Sequence, residues 1–349
     1  MNNSLEATTN EVDASSYGEK EKLGSRLSMR IFLTNEFGLL ALIVVFVIIF
    51  TILQPGFISK YSLFALGRTA AVNIIIGFSM MVVIITGGLN LAVGSIGVCA
   101  AMFSGWLMQS IGVPWPIALL GGLAMGAGLG ALDGIVIVRS GLHSFIITLA
   151  SMSIFFGIMI FLTHAGSYRE IAPEVIAPGR MRLFGYVSPL LLITFVVAGL
   201  LSILFRYTAT GRQMLAAGAS PETAELSGVR VNRMTILCHA LSGVLAGIAG
   251  LMLVSRTGAA IPSMAGQLGQ DWLLPAFLGP VLGGTLLTGG RASVLGTLLG
   301  ALLVTTLTTG LLLLQIGAFW LQTYLGLLLL VAVLMDRVRR SYLARKKLV

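Results

Sequence analysis

The sequence predicts an all-α, polytopic membrane protein of about ten transmembrane helices with both termini in the cytoplasm. Three observations carry that prediction. Hydrophobic types make up 56% of the 349 residues and charged types only 10%, whereas a soluble domain carries about 25% charged residues. Such a chain cannot cover a water-facing surface, and a soluble enzyme is excluded. The apolar residues fall into runs near the ~20 residues that cross a bilayer. The basic residues behind the net charge of +9 lie in the loops and tails between those runs, where they read as topology signals rather than nucleic-acid contacts.

Taken in order, residues 1–36 are polar and mixed in charge and read as a disordered cytoplasmic tail. The apolar run 37–53 starts too late for a signal peptide, and no small-residue cleavage site follows it, so it reads as an uncleaved first span. Further spans are expected at 69–87, 91–109, 114–138, 144–163, 187–205, 235–254, 272–288, 292–314 and 318–335. Together 37–335 form one transmembrane domain, and 336–349 form a basic cytoplasmic tail. The links 88–90, 289–291 and 315–317 are very short, so some of these segments are candidates for half-helices or re-entrant pieces. With the N-terminus inside, only Lys60, Arg68, Arg169, Arg180, Arg182 and Arg256 fall outside. The other sixteen of the 22 basic residues fall inside, as the positive-inside rule requires.

The 43 glycines are too many for soluble helices and suit helices packed closely in lipid. Gly122, Gly126, Gly130 and Gly134 recur every fourth residue and make one bare stripe. Gly243 with Gly247, and Gly296 with Gly300, repeat the device. An internal echo links Gly87-Gly88, Leu91, Gly94 and Ser95 to Gly283-Gly284, Leu287, Gly290 and Ser293, as in transporters built from two halves. Cys99 and Cys238 lie in apolar runs, without disulfide or CxxC spacing.

Catalytic signatures are missing: the sequence holds no HExxH, no Walker A, and no Gly-Lys dipeptide at all. No catalytic and no metal-binding residue is therefore expected. His143, His164 and His239 have no ligand spacing and read as structural. Asp133, near the cytoplasmic end of the fourth span with Arg139 six residues on, reads first as a paired or snorkelling helix-end carboxylate. Ion-driven carriers keep titratable groups at mid-membrane, and this scarcity points to another energy source.

Two stretches carry the candidate chemistry. In Thr86-Gly-Gly-Leu-Asn-Leu-Ala-Val-Gly-Ser95, glycines break the helix. Broken backbone at membrane depth must line a cavity or be buried in protein. Gly87, Gly88, Asn90 and Ser95, with Asn73 on the preceding span, are thus candidates for a substrate pathway that holds a polar, uncharged solute such as a sugar. A tight turn between two spans explains the stretch equally well. In the loop 206–234, Ser220 suits an N-cap, Pro221 the first helical position, Glu222 the positive helix end and Gly228 the closing position. A two-turn helix over about 221–227 follows. So short a helix needs a surface, either the bundle's own base or a soluble partner.

The runs "ITGGLNLAVGS", "GALDGIVIVRSGLHSFIITLASM", "GRQMLAAGASPETAELSGVRVNR" and "VLGGTLLTGGRASVLGTLLGALL" occur in this order. They resemble the signatures of ABC importer permeases of the ribose, xylose, galactose and autoinducer-2 group. The resemblance runs from about residue 37 to 338. Two positions depart from it: Asn90 stands where the group usually has Asp, and Asp133 where it usually has Asn. The resemblance implies a permease subunit of the bacterial inner membrane, multi-pass, working as a pair (a homodimer is expected) by alternating access. It implies two cytoplasmic ATPase subunits or domains that bind the ATP and Mg, no cofactor in this chain, and a periplasmic substrate-binding protein received by loops 164–186 and 255–271. The loop 206–234 then matches the ATPase-coupling segment, with Arg212, Ser220, Glu222, Glu225, Leu226 and Arg230 as coupling residues. An ion-coupled secondary transporter using Asp133, and an ABC permease for branched-chain amino acids or nucleosides, are the alternatives.

Overall fold

The computed structural model describes residues 35–315, 320–331 and 334. Of the expected tails 1–36 and 336–349, all but Asn35 and Glu36 lie outside these residues, and those two begin the first helix. The described chain is helical, with no strand beyond isolated bridges such as Tyr168 with Ala260. Helices α1 (Asn35–Leu53), α2 (Lys60–Ile84), α3 (Val93–Trp106), α4 (Trp115–Ser140) and α5 (Ser144–Thr163) come first. A short helix α6 (Pro173–Arg180) leads to α7 (Pro189–Tyr207), α8 (Ala209–Ala219) and α9 (Pro221–Leu226). Then come α10 (Val231–Thr257), α11 (Leu273–Leu282), α12 (Val294–Leu313) and α13 (Trp320–Val331).

Eight described helices are long and apolar enough to cross a membrane, counting α3 with the π turn that extends it to Ile111. The eighth expected span, 272–288, is a correction. Only Leu273–Leu282 is α-helical, after a 3-10 turn Gln267–Trp272, and 283–293 is irregular. Ten residues rise about 15 Å, half of the ~30 Å hydrocarbon thickness. Pro280 removes one amide from the ladder and Gly284 turns out at φ +80°, so the helix stops there. The second span begins nine residues earlier than its apolar run suggests. The Ser59 hydroxyl accepts from Ser62 N and starts α2 at Lys60, which brings Arg68 inside the helix.

The helices differ sharply in burial. α2 is the central one, with 83% of its most apolar window buried, and α3 with its extension to Ile111 follows at 67% and α10 at 61%. α1, at 11%, and α5, at 17%, present most of their residues outward, including Leu40, Val44, Ile48, Ile154 and Phe161. α4 meets α10 along the predicted glycine stripe. A Cβ on Gly126 would stand 2.5 Å from the Gly243 carbonyl oxygen, and one on Gly134 would stand 2.8 Å from the Ile236 Cα. Gly296 and Gly300 serve α12 in the same way against Gly283 and Gly279. With backbones this close, van der Waals contact replaces the hydrophobic drive that lipid does not supply.

Candidate functional site

The Gly87–Ser95 loop joins α2 to α3 through a left-handed residue, Gly87 at φ +76°. Two neighbouring helices, α5 and α10, hold it. The Ser144 hydroxyl of α5 accepts from Leu89 N at 2.8 Å, and Thr148 Oγ1, one turn on, accepts from Leu91 N at 3.1 Å. Asn90, fully buried, donates from Nδ2 to Ser242 Oγ of α10 at 3.0 Å, and its Oδ1 accepts from Ala92 N at 3.0 Å. Ser95, equally buried, donates to the Ala92 carbonyl at 2.9 Å. The polar groups expected to meet solute are thus engaged in holding the turn. Gly87 and Gly88 remain partly exposed. Asn73 lies elsewhere, donating to Thr305 Oγ1 at 3.0 Å between α2 and α12.

Two cavities, of about 810 and 490 Å³, lie on the flanks of the bundle. The first runs between α1, α12 and α13 along Phe46, Phe50, Leu307 and Tyr324. The second lies between α3, α4 and α5 along Met102, Trp106, Leu129 and Met159. Neither includes Gly87, Gly88, Asn90, Ser95 or Asn73.

Beside the loop sit two buried polar atoms without partners, Asp133 Oδ2 and His239 Nε2. Asp133 is 1% exposed and faces Ser151 rather than Arg139, so it is no snorkelling helix-end carboxylate. His239 holds the Thr235 carbonyl with Nδ1 at 2.9 Å and turns Cε1 toward Gly88. Such isolated polar atoms in a dry interior cost about 1–3 kcal/mol each.

The stretch 206–234 lies at the same end of the bundle. α8 ends on the α2–α3 loop: a Cβ on Gly218 would collide with the Ile85 carbonyl oxygen, and Gly290 N donates to that oxygen at 2.9 Å. A Cβ on Gly289 would stand 2.8 Å from Gly218 O and 2.9 Å from Gly87 N. The α2–α3 loop, the Gly289-Gly290 pair and the end of α8 therefore meet around one carbonyl, and only residues without a side chain allow it. Beyond it, Ser220 Oγ caps α9 by accepting from Thr223 N, and Gly228 leaves at φ +81°. Ala224 packs inward. Arg212, Glu222, Glu225 and Arg230 are exposed, and Leu226 is 90% exposed. The sequence located α9 and its caps. It did not reveal Ser144, Thr148 and Ser242 as the holders of the loop, nor Gly218 as the contact between the two stretches.

Eight long apolar helices packed on glycine stripes, with a capped helix standing out at one end, define a polytopic membrane transport component. Residues 62–335 match the family described as "Branched-chain amino acid transport system / permease component". The chain belongs to this permease family, and it is a multi-pass protein of the inner membrane. It is 35% identical over 299 residues to the ribose import permease protein RbsC of Bacillus subtilis (strain 168), covering 85% of this chain and 91% of that one. It is 35% identical over 315 residues to a probable ABC transporter permease protein, YphD, of Escherichia coli (strain K12), covering 89% and 93%. It is 29% identical over 305 residues to the D-allose transport system permease protein AlsC of the same strain, covering 87% and 92%. No solved structure matches the chain.

Proposed function

We propose that this chain is the permease subunit of an ATP-binding-cassette importer for a sugar or sugar-like molecule. It works as a pair by alternating access and is driven by separate ATPase subunits that hold the ATP and Mg. The observation that carries this reading is α9. It is a capped six-residue helix whose Leu226 stands 90% exposed between Glu222, Glu225 and Arg230. A bare leucine on so short a helix is satisfied by a groove in another protein, and α8 links it directly to the loop below the central helix α2. Relatives named for ribose, allose and fructose support a sugar. The ten crossings and the two cytoplasmic tails belong to this proposal, with α11 and its turn making one crossing and α13 the last. So does the solute path, to which Gly87, Gly88 and Asn73 contribute their partly exposed faces, with Asn90 and Ser95 fixing the turn behind them. A periplasmic binding protein delivers the solute.

Reconstitution tests the reading. Uptake into vesicles requires the ATPase subunit with ATP enclosed inside and the binding protein outside, and transport by this chain alone would refute it. The buried, half-partnered Asp133 favours one rival, an ion-coupled carrier. That rival predicts loss of uptake on Asp133→Asn and on collapse of the proton gradient. The family description favours a second, a permease for branched-chain amino acids, which a solute screen on the binding protein decides.

A further inference from the structure

The chain between α10 and α11 does not stay at the end of the bundle where α10 stops. After the bridge of Ala260 with Tyr168 it descends, and at Gly269 it lies against the first turn of α3. A Cβ on Gly94 there would collide with the Gly269 carbonyl oxygen. A Cβ on Gly97 would stand 2.5 Å from the Trp272 ring and 2.8 Å from the carbonyl oxygen of Ala246, at the middle of α10. Residues 266–272 are therefore broken backbone at mid-membrane depth, with Gly266, Leu268 and Gly269 all at positive φ. A left-handed leucine is strained backbone of the kind kept at functional sites. At this depth such backbone is tolerated only inside protein or along a water-filled cavity, and transporters hold solute near the midplane on interrupted segments.

The two sides of the segment differ. Gly269 and Trp272 are buried against α3, whereas Gln267, Gln270 and Asp271 are exposed. A Cβ on Gly266 would stand 2.6 Å from Asp271 Oδ2, so the carboxylate folds back over a bare Cα. Neither of its oxygens has a hydrogen-bond or ion-pair partner among the described residues. A carboxylate and two amides at this depth are costly against hydrocarbon and belong to a polar path. The carboxylate can accept from two adjacent hydroxyls at once, and each amide both donates and accepts. Together they suit a neutral polyhydroxy solute and repel an anionic one. We propose that Gln267, Gln270 and Asp271 form a polar subsite of the solute path, holding neighbouring hydroxyls at the middle of the membrane. The solute class rests on the permease reading; the water-lined position of the three side chains does not.

Two measurements test it. The full chain is placed in phosphatidylcholine nanodiscs with one new cysteine, either Gln270→Cys or Val196→Cys on α7, where the native side chain is 62% exposed; the chain's own thiols are buried. A cationic, water-soluble methanethiosulfonate is expected to label Gln270→Cys at least about tenfold faster, because the reactive thiolate forms in water and not in an apolar environment. Equal or slower labelling of Gln270→Cys overturns the proposal. So does a disulfide joining two Gln270→Cys copies in place of labelling, which would make the segment a contact between subunits. The second measurement is uptake of ribose, allose or fructose by the transporter reconstituted with its ATPase and binding protein. Asp271→Leu is expected to lower uptake about tenfold or more, since hydrogen bonds to a charged group are among the stronger ones, and Asp271→Asn, which keeps an acceptor, to lower it less. Unchanged uptake by Asp271→Leu overturns the proposal. So does an uptake whose dependence on the proton gradient vanishes in Asp271→Asn, which would make Asp271 an ion-coupling carboxylate. Thermal melts of the variants separate misfolding from lost transport. Labelling without any transport would remove the permease reading and leave the water-lined segment standing; transport without labelling would do the reverse.

Discussion

Leu226 contributes almost nothing to the fold of this chain, because nothing in it covers the side chain. Leu226→Ser is therefore expected to leave the melting temperature of the subunit within about a degree, as exposed substitutions stay within ±0.5 kcal/mol. Solute uptake by the full transporter is expected to fall about tenfold or more, because hot-spot truncation costs ~2 kcal/mol. Parallel melts and uptake assays check it, and unchanged uptake would remove α9 from the coupling path. Asp133→Asn tests the opposite kind of residue, buried and carrying charge chemistry. If energy comes from ATP, uptake by that variant is retained and is indifferent to the proton gradient; a gradient-dependent loss would favour the ion-coupled rival. The Ser220 cap and the Gly228 exit were legible in the sequence because capping partners lie within a few residues. The engagement of Asn90 was not, because its partner Ser242 is 152 residues away.

At the scale of elements, a four-residue glycine spacing is legible because helical geometry puts those positions on one face. Only the structure says what that face meets. Gly126 meets the backbone of α10, whereas Gly157 on α5 has nothing within 4 Å. Gly126→Leu is accordingly expected to destabilise by about 3 kcal/mol or more, at or above the upper end of overpacking costs, because a carbonyl cannot swing aside as a side chain would. Gly157→Leu is expected to be neutral. Thermal melts with size-exclusion profiles compare the two, and equal behaviour would mean that α4 and α10 do not pack as described. The eighth span was misread for a related reason. Hydropathy averages over Gly283-Gly284, whereas the helix ends just before them at Leu282, two residues after Pro280. The start of α2 was misread in the opposite sense, since Lys60, Tyr61 and Arg68 hide a capped helix from an apolar window.

For the whole molecule, the decisive quantity is which end faces the cytoplasm. α9 and the arginines Arg180 and Arg256 lie at opposite ends of α10, because that helix starts just after α9, at Val231, and ends at Arg256 and Thr257, where Arg180 reaches over Gly258. One orientation measurement therefore assigns both surfaces. The chain is suited to it, because its own thiols, Cys99 and Cys238, are buried, and new cysteines can be read against a silent background. Leu226→Cys and Phe184→Cys place thiols on side chains 90% and 87% exposed at the two ends. In intact cells whose outer membrane alone is permeabilised, a membrane-impermeant maleimide is expected to label the Phe184→Cys chain. The Leu226→Cys chain is expected to react only after the inner membrane is opened. The reverse pattern would turn the molecule over. ATPases could not then sit on α9, the arginines would face the cytoplasm, and the positive-inside count over short loops would have failed for this chain. Labelling of both in intact cells would mean a mixed population, which a basic bias of sixteen residues against six argues against.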